Sequence, residues 1–183
     1  MKTGFLDIHT DGACPGNQFD ENVGGWGAIL EYAGKSKELY GGERNTTNNR
    51  MEIIALIEAF SAIKKQGYPV RVFTDSTYLA DCLRKRWYES WRSNGWKNAN
   101  KQPVVNQDLW EKLLEFLPEM DLKVYIIKGH ISPKARPETI ENAFAKFREK
   151  NGDDFTFEDF LHIIKQNNRA DALAVRGAEE ARR

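Results

Sequence analysis

Several features that mark special classes of protein are scarce or missing in this sequence. No apolar run approaches the roughly 18 residues that a membrane span needs, so we expect no membrane association. No apolar signal segment follows Met1, which favours a cytoplasmic location. The two cysteines, Cys14 and Cys82, are too few for a disulfide framework or a zinc cluster, and they suit a reducing compartment.

Charge of one sign is also lacking, because 27 basic residues balance 27 acidic ones and the net charge is zero. This balance excludes a protein coated in positive charge but not a local basic patch. Apolar sequence, in contrast, is sufficient for a core. Of the 183 residues, 40% are hydrophobic and 11% aromatic, which excludes a wholly disordered chain and predicts one domain over residues 1–183.

The hydrophobic periodicity changes along the chain and predicts a mixed sheet with helices packed on it. Strands are predicted at residues 5–11, 24–32, 37–42, 70–75 and 122–128. Helices are predicted at residues 48–65, from 76 to about 92, at 106–117 and from 170 to about 181. The resulting order, β-β-β-α-β-α-α-β-α, is typical of an α/β fold.

Four acidic residues lie where the predicted elements meet. Asp11 and Asp75 end two strands, Glu52 lies in the first turns of a helix, and Asp171 opens the last helix. If the two strands are neighbours, these carboxylates gather at one sheet edge, where they repel one another unless divalent cations such as Mg²⁺ or Mn²⁺ compensate. Two such ions can activate a water and stabilise the leaving oxygen of a phosphodiester. The alternative is four ordinary residues in solvated turns and helix starts, and periodicity alone does not decide between the two.

Short motifs in the same places resemble, in order, those of the type 1 class of ribonuclease H. They are TDGACPGN at 10–17, TTNNRME at 46–52, TDS at 74–76, KGH at 128–130 and NNRAD at 167–171. GWK at 95–97 and KQPVVNQDLW at 101–110 resemble the family's basic protrusion and the helix after it. The resemblance covers everything except residues 131–166. It implies a ribonuclease H-like five-stranded mixed sheet flanked by helices, and an endonuclease that hydrolyses the RNA strand of RNA–DNA hybrids to leave 5′-phosphate and 3′-hydroxyl ends.

The same resemblance assigns roles to individual residues. It implies that two Mg²⁺ ions, with Mn²⁺ as a substitute, are bound by four metal ligands, Asp11, Glu52, Asp75 and Asp171. His130 matches the family's mobile histidine, which assists proton transfer or product release. An imidazole titrating near pH 6.5 is suited to that role. The alternative for His130 is an ordinary surface loop histidine.

Asparagines in the first two motifs match residues that contact the RNA strand. Asn17, Asn48 and Asn49 match positions near the 2′-hydroxyls, which an amide can pair with as donor or acceptor. Their alternative role is turn formation or helix capping.

A phosphate pocket for the DNA strand is also implied. Thr47 and Asn106 match its residues. The chain departs from some members of the family, because Asn45 stands where they have an arginine. Whether the neighbouring Arg44 takes over that role stays open.

A local basic patch lies between residues 84 and 101. Its six basic residues outnumber one acid, Glu89, and are Arg84, Lys85, Arg86, Arg92, Lys97 and Lys101. Trp87, Trp91 and Trp96 are interleaved with them, and indoles can pack on sugars or bases. We therefore expect a monomer that binds the hybrid in a salt-sensitive way, largely indifferent to sequence. The alternative is that the indoles belong to the core.

Residues 131–166 lie outside the resemblance. Apolar residues recur at helical spacing in two stretches separated by Asn151 and Gly152, and Thr156 with Asp159 resembles a capping box. We predict a helical hairpin insertion that forms a lid or flap beside the site and restricts His130. Deleting residues 132–165 should then alter turnover more than hybrid affinity. The acids at 153–159 suit helix starts better than a metal site.

Two other functions remain open at this stage. One is a DNA-directed nuclease of the same superfamily, which the asparagine-rich motif and the basic patch disfavour. The other is a non-catalytic hybrid-binding module, which the presence of all four acids disfavours. No separate N-terminal hybrid-binding domain is expected, because the first predicted strand begins at about residue 5.

Overall fold

Five strands form one mixed sheet in the order β3-β2-β1-β4-β5. The structure, a computed structural model, describes residues 4–14, 22–65, 67–132 and 134–183. The strands are β1 Leu6–Ala13, β2 Val23–Tyr32, β3 Lys35–Arg44, β4 Val70–Thr74 and β5 Leu122–Ile126. β1, β2 and β3 form an antiparallel meander, whereas β4 pairs parallel with both β1 and β5. The predicted five-stranded mixed sheet flanked by helices is therefore confirmed.

Six α-helices accompany the sheet in the described part of the chain. They are α1 Asn48–Ser61, α2 Thr77–Arg84, α3 Trp87–Ser93, α4 Gln107–Leu114, α5 Pro137–Asn151 and α6 Phe157–Arg182. The prediction of one helix from residue 76 to about 92 is wrong, because Arg86 adopts a left-handed conformation (φ 52°) that separates α2 from α3. The helix predicted at 106–117 ends at Leu114, ahead of a short 3₁₀ turn at Leu117–Glu119.

The last helix is much longer than predicted. α6 begins at Phe157, because Thr156 and Asp159 form the expected capping box: Asp159 N donates to Thr156 Oγ1 (3.1 Å) and Thr156 N donates to the Asp159 carboxylate (3.0 Å). Nothing breaks the helix before Arg182, so the predicted start at residue 170 is wrong. Asp171 therefore lies within a long helix rather than at the start of a short one.

Helices α5 and α6 cover the sheet face of β4 and β5. Phe147, Phe155 and Phe160 are 3%, 4% and 1% exposed and pack with Phe73 and Tyr125 of the sheet. Burial on this scale belongs to a core. The prediction of a lid or flap over residues 131–166 is therefore wrong.

The free edge of β5 is covered as well. The side-chain amide of Asn151, the last residue of α5, accepts from Ile126 N (3.0 Å) and donates to Ile126 O (2.8 Å) and Phe147 O (2.8 Å). Arg84 donates to Val124 O (2.8 Å) of the same strand. These contacts occupy strand groups that would otherwise invite pairing with another chain.

The opposite face of the sheet packs against α1, and α4 packs on α1. Ile8 of β1 lies in this core with Ile53 and Leu56 of α1. On the first face, α6 crosses β2 so closely that a Cβ atom on Gly25 would collide with the carbonyl oxygen of Ala174. β1 therefore lies beneath helices on both sides, and its polar residues Asp7, His9 and Asp11 are buried.

Candidate active site

The structure brings the four predicted carboxylates together. Carboxylate oxygens of Asp11, Glu52 and Asp75 lie within 4.8 Å of one another. Asp171 approaches from α6, and its charge adds to burial, the larger cause, in raising the pKa of both Asp11 and Asp75. The parallel register explains why Asp11 and Asp75 lie close together. Thr10 of β1 pairs with Thr74 of β4, and the two aspartates are the next residues after this pair. Asp11 lies inside β1, which continues to Ala13, so its predicted place at the strand end is wrong.

Backbone groups shape this carboxylate cluster, by which we mean Asp11, Glu52, Asp75 and Asp171. Gly12 N donates to Asp11 Oδ1 (2.9 Å) and orients that carboxylate. A Cβ atom on Gly129 would collide with Asp75 Oδ2, so only glycine leaves room for the Asp75 carboxylate where it lies. The glycine of the KGH motif therefore has a steric role that the sequence alone did not reveal.

Burial and mutual repulsion disfavour ionisation of the cluster. Burial, then the charges of Asp75 and Asp171, raise the pKa of Asp11 to about 8. Burial and Asp11 raise the pKa of Glu52, which is 2% exposed, well above its usual range. Near neutral pH the cluster therefore holds protons that a bound cation would displace.

The pKa of Asp75 is also raised, first by burial, although Asn167 and His130 act in the opposite direction. Asn167 is a buried residue of α6 that the sequence analysis did not select as a site residue. The sequence signal that could have identified Asn167 is its position in the NNRAD motif, four residues before Asp171.

The donor set of the cluster fits a hard divalent cation. All four side chains offer carboxylate oxygens, the ligands that Mg²⁺ and Mn²⁺ prefer. Glu52 Oε2 is buried with no hydrogen-bond partner, an unfavourable state for a polar atom unless a cation satisfies it. Three of the residues also form one of the candidate metal-binding groups in the described part of the chain.

His130 lies at the rim of the cluster. It is exposed, follows β5 in a loop and adopts a left-handed backbone conformation (φ 56°). Its charge acts on Asp75, which places the imidazole within electrostatic reach of the carboxylates. The predicted role in proton transfer stays a prediction.

Three of the residues predicted to contact substrate lie at the start of α1, the helix that carries Glu52. Thr47, Asn48 and Asn49 are exposed at the start of α1, where Thr47 Oγ1 accepts from Arg50 N (3.3 Å) as helix cap. Asn106 precedes α4, and its Oδ1 accepts from Arg50 Nη1 (3.2 Å), so Arg50 links both halves of the predicted phosphate pocket. The sequence analysis did not identify this bridging arginine.

Asn17, which was also predicted to contact the RNA strand, lies outside the described residues. Arg44 donates to the carbonyl oxygens of Ala181 (3.1 Å) and Arg182 (2.7 Å) at the end of α6. This guanidinium therefore caps a helix.

The basic patch is divided between surface and core. Trp87 is 38% exposed, with Lys85 over its ring (5.4 Å). Trp91 packs edge-on against the buried Trp110 (5.5 Å) and beside Trp96 (6.3 Å), so these two indoles support the core. Lys97 is exposed.

Arg84 is exposed, but its guanidinium also makes contacts within the chain. It binds Val124 O (2.8 Å) and Asn151 Oδ1 (2.5 Å). Fewer of its N–H groups are therefore available to bind a phosphate.

No helix in the described segments has both the length and the apolar character needed to cross a bilayer.

Comparison with known proteins yields consistent matches. A sequence model described as RNase H matches residues 5–147. The ribonuclease H of Syntrophomonas wolfei subsp. wolfei is 49% identical over 123 residues, which are 67% of this chain and 82% of that protein. The ribonuclease H of Maricaulis maris is 45% identical over 147 residues, which are 80% of this chain and 96% of that protein.

Solved structures show the same fold. LC9-RNase H1, described as a type 1 RNase H with the type 2 active-site motif, aligns with a TM-score of 0.70 at 27% identity, over 99% of this chain and 75% of that one. LC11-RNase H1 in complex with RNA/DNA hybrid aligns with a TM-score of 0.60 at 19% identity, over 97% of this chain and 99% of that one. The second likeness shows the fold alone. The sequence model ends before α6, which carries Asp171.

Proposed function

This chain belongs to the ribonuclease H family and is an endoribonuclease, and from that premise we propose that it hydrolyses the RNA strand of RNA–DNA hybrids by two-metal-ion catalysis. The products would be 5′-phosphate and 3′-hydroxyl ends. The observation that carries this proposal is the convergence of Asp11, Glu52, Asp75 and Asp171 from four separate elements.

In this proposal the four carboxylates hold two Mg²⁺ ions, with Mn²⁺ as a substitute. When bound, such a pair of ions supplies an activated water and stabilises the leaving oxygen of a phosphodiester. The chain itself contributes orientation, because Gly12 N fixes the Asp11 carboxylate. Burial raises the pKa of Asp75, and Asn167 acts against that rise. His130, exposed beside Asp75, would carry a proton on its imidazole to or from the reacting phosphate.

The substrate side of the proposal rests on the exposed polar residues of the site's border. Asn48, Asn49 and, outside the described residues, Asn17 would read the 2′-hydroxyls that distinguish RNA from DNA. Thr47 and Asn106, linked by Arg50, would hold a phosphate of the DNA strand. Trp87 and Lys97 are exposed and would bind the hybrid beyond the cut, while Trp91 and Trp96 would position this surface from below.

The proposal also covers the oligomeric state, the cellular location and the partner of the enzyme. The enzyme would act as a monomer in the cytoplasm, where the free thiols of Cys14 and Cys82 stay reduced. Support for a hybrid as partner comes from LC11-RNase H1, whose structure is described as a complex with RNA/DNA hybrid.

Digestion of one end-labelled hybrid, compared with single-stranded RNA and both homoduplexes, tests the proposal. Cleavage should require Mg²⁺ or Mn²⁺ and be confined to the RNA strand of the hybrid. Asp75→Asn should lower kcat by about 1000-fold or more while hybrid affinity stays close to wild type. Asp121→Asn, which removes an exposed carboxylate outside the cluster, should behave as wild type.

The other outcomes point to the alternatives. Cleavage of duplex DNA at a comparable rate would indicate a DNA-directed nuclease. Hybrid binding without cleavage in either metal would indicate a non-catalytic binding module.

A further inference from the structure

A second group of potential metal ligands lies beneath α6, separate from the carboxylate cluster. It consists of His9 on β1, Glu31 on β2 and His162 on α6, each of which offers one ligand atom within 4.8 Å of the other two. We refer to these three residues as the His–Glu–His group. None of them belongs to the motifs that carry the resemblance to ribonuclease H.

His9 is the unusual member of the group. Its side chain is completely buried in the central strand, and its ring lies flat on Phe73, with centroids 4.9 Å apart and an interplanar angle of 14°. Nδ1 has no hydrogen-bond partner, and Nε2 lies 3.3 Å from Glu31 Oε2 without making a well-directed hydrogen bond. Since buried polar atoms are nearly always paired, an imidazole in this state indicates a missing partner.

Two of the three separations between ligand atoms are close to those found around a bound metal ion. His9 Nε2 lies 3.3 Å from Glu31 Oε2, and His162 Nε2 lies 2.7 Å from the same oxygen. Bonds of about 2.0–2.1 Å to a tetrahedral Zn²⁺ ion place neighbouring ligand atoms about 3.3 Å apart. The first separation already has this value, and the second needs only a small opening of one hydrogen bond by the half-exposed His162 side chain.

The surroundings prepare the three side chains for metal binding. Gln166 Nε2 donates to Glu31 Oε1 (2.5 Å), which holds the carboxylate with its other oxygen towards the two imidazoles. Asp7, the nearest other acid of β1, is already paired with Arg71 through bonds of 2.6 and 2.8 Å. Competition from that carboxylate is therefore small.

We propose that His9, Glu31 and His162 form a binding site for Zn²⁺ or a similar transition-metal ion, which fastens α6 to β1 and β2. Two imidazole nitrogens and one carboxylate oxygen suit Zn²⁺, whereas Mg²⁺ prefers oxygen ligands alone. A fourth position would be filled by water from a cavity of about 410 Å³ that Glu31 and His162 line. The site is structural, and its occupancy is independent of the proposed nuclease activity.

Zinc titration of the protein by calorimetry tests the site. A millimolar excess of Mg²⁺ first occupies the carboxylate cluster, so that zinc reports on imidazole-containing sites. Wild type should bind one equivalent of Zn²⁺, and Asp75→Asn should bind the same amount. Affinity should fall as the pH is lowered, because protons compete with the ion for the three ligand atoms.

Two variants locate the binding. His162→Ala and Glu31→Gln change partly exposed side chains (35% and 21%), so the fold should survive, and each should weaken zinc binding by about 100-fold or more. His130→Ala is the matched control, since it removes the histidine outside the group and should leave zinc binding unchanged. Circular dichroism checks that each variant is folded. If only one of His162→Ala and Glu31→Gln folds, that variant alone suffices for the test.

Thermal stability and spectroscopy give independent readouts. Zinc at about 100-fold above its dissociation constant should raise the Tm of wild type by roughly 5–10 °C, but not the Tm of His162→Ala. Co²⁺ in its place should give the intense visible absorption of tetrahedral coordination. The proposal is overturned if wild type binds no zinc in excess Mg²⁺, or if His162→Ala and Glu31→Gln bind it as wild type does.

Discussion

At the scale of single residues, the carboxylate cluster depends on small groups around the acids as much as on the acids themselves. Gly129 is the clearest example, because a single added carbon would collide with Asp75 Oδ2. Gly12 N holds Asp11. These two glycines limit where the mutually repelling carboxylates can lie.

Gly129→Ala tests this steric role. The added Cβ should displace the Asp75 carboxylate and lower kcat by about 10- to 100-fold, because small displacements at a reacting centre are costly. Hybrid affinity and Tm should change little. Steady-state kinetics on a labelled hybrid measure the effect, with the exposed Ser132→Ala as control. An unchanged kcat would show that the loop absorbs the methyl group.

The raised pKa of Asp11 leads to a prediction about stability and pH. Because the pKa is about 8 in the folded protein and about 3.9 in the unfolded chain, the folded state binds more protons between these values. Metal-free protein should therefore lose stability as the pH rises from about 4 to about 8.

Urea unfolding in EDTA at several pH values measures this slope. Asp11→Asn should flatten it and be more stable than wild type at the upper end. Saturating Mg²⁺ should also flatten the slope, because the ions replace the protons. A metal-free wild type whose stability is constant across the range would contradict the prediction.

At the scale of elements, α3 carries two tryptophans with different surroundings, although residues four apart lie on the same side of a helix. Trp87 is exposed with Lys85 over its ring, whereas Trp91, four residues later, packs on Trp110. The left-handed Arg86 sets the direction of this helix relative to α2. A continuous helix would have pointed the same residues elsewhere.

The two tryptophans should therefore respond differently to truncation. Trp87→Ala should weaken hybrid binding by about 1–3 kcal/mol and leave the free energy of unfolding unchanged, because an exposed indole is lost from the binding surface. Trp91→Ala should instead lower the free energy of unfolding by about 2–4 kcal/mol. Fluorescence-anisotropy binding and urea denaturation separate the two effects, and equal responses in either assay would argue against this division.

At the scale of the whole molecule, residues 131–166 complete one face of the sheet. Phe147, Phe155 and Phe160 supply the aromatic layer over β4 and β5, and α6 carries the same segment directly into Asp171. We propose that residues 1–183 form a single domain in which this stretch is an insertion relative to the family. Its helices then stabilise the fold on which the site depends.

Deletion of residues 132–165 should therefore unfold the protein. Three buried aromatic side chains leave the core, and truncating even one such residue typically costs about 3–5 kcal/mol. The sequence analysis expected this deletion to alter turnover more than hybrid affinity. The packing of the segment replaces that expectation with loss of the folded state. Near-ultraviolet circular dichroism and a thermal melt measure the outcome. A cooperative melt in the deleted protein would show that the segment is separable after all.

The sequence by itself predicted the order of elements along the chain, the mixed sheet and the four acids that the fold brings together, because local periodicity and ordered motifs encode them. Only the tertiary structure decided that α6 is continuous, that Arg44 and Arg84 bind backbone carbonyls, and that Gly129 makes room for Asp75. It also decided that His9 and His162, 153 positions apart in the sequence, share one carboxylate. The physical reason is that these features depend on contacts between distant segments, which exist only once the helices have packed on the sheet.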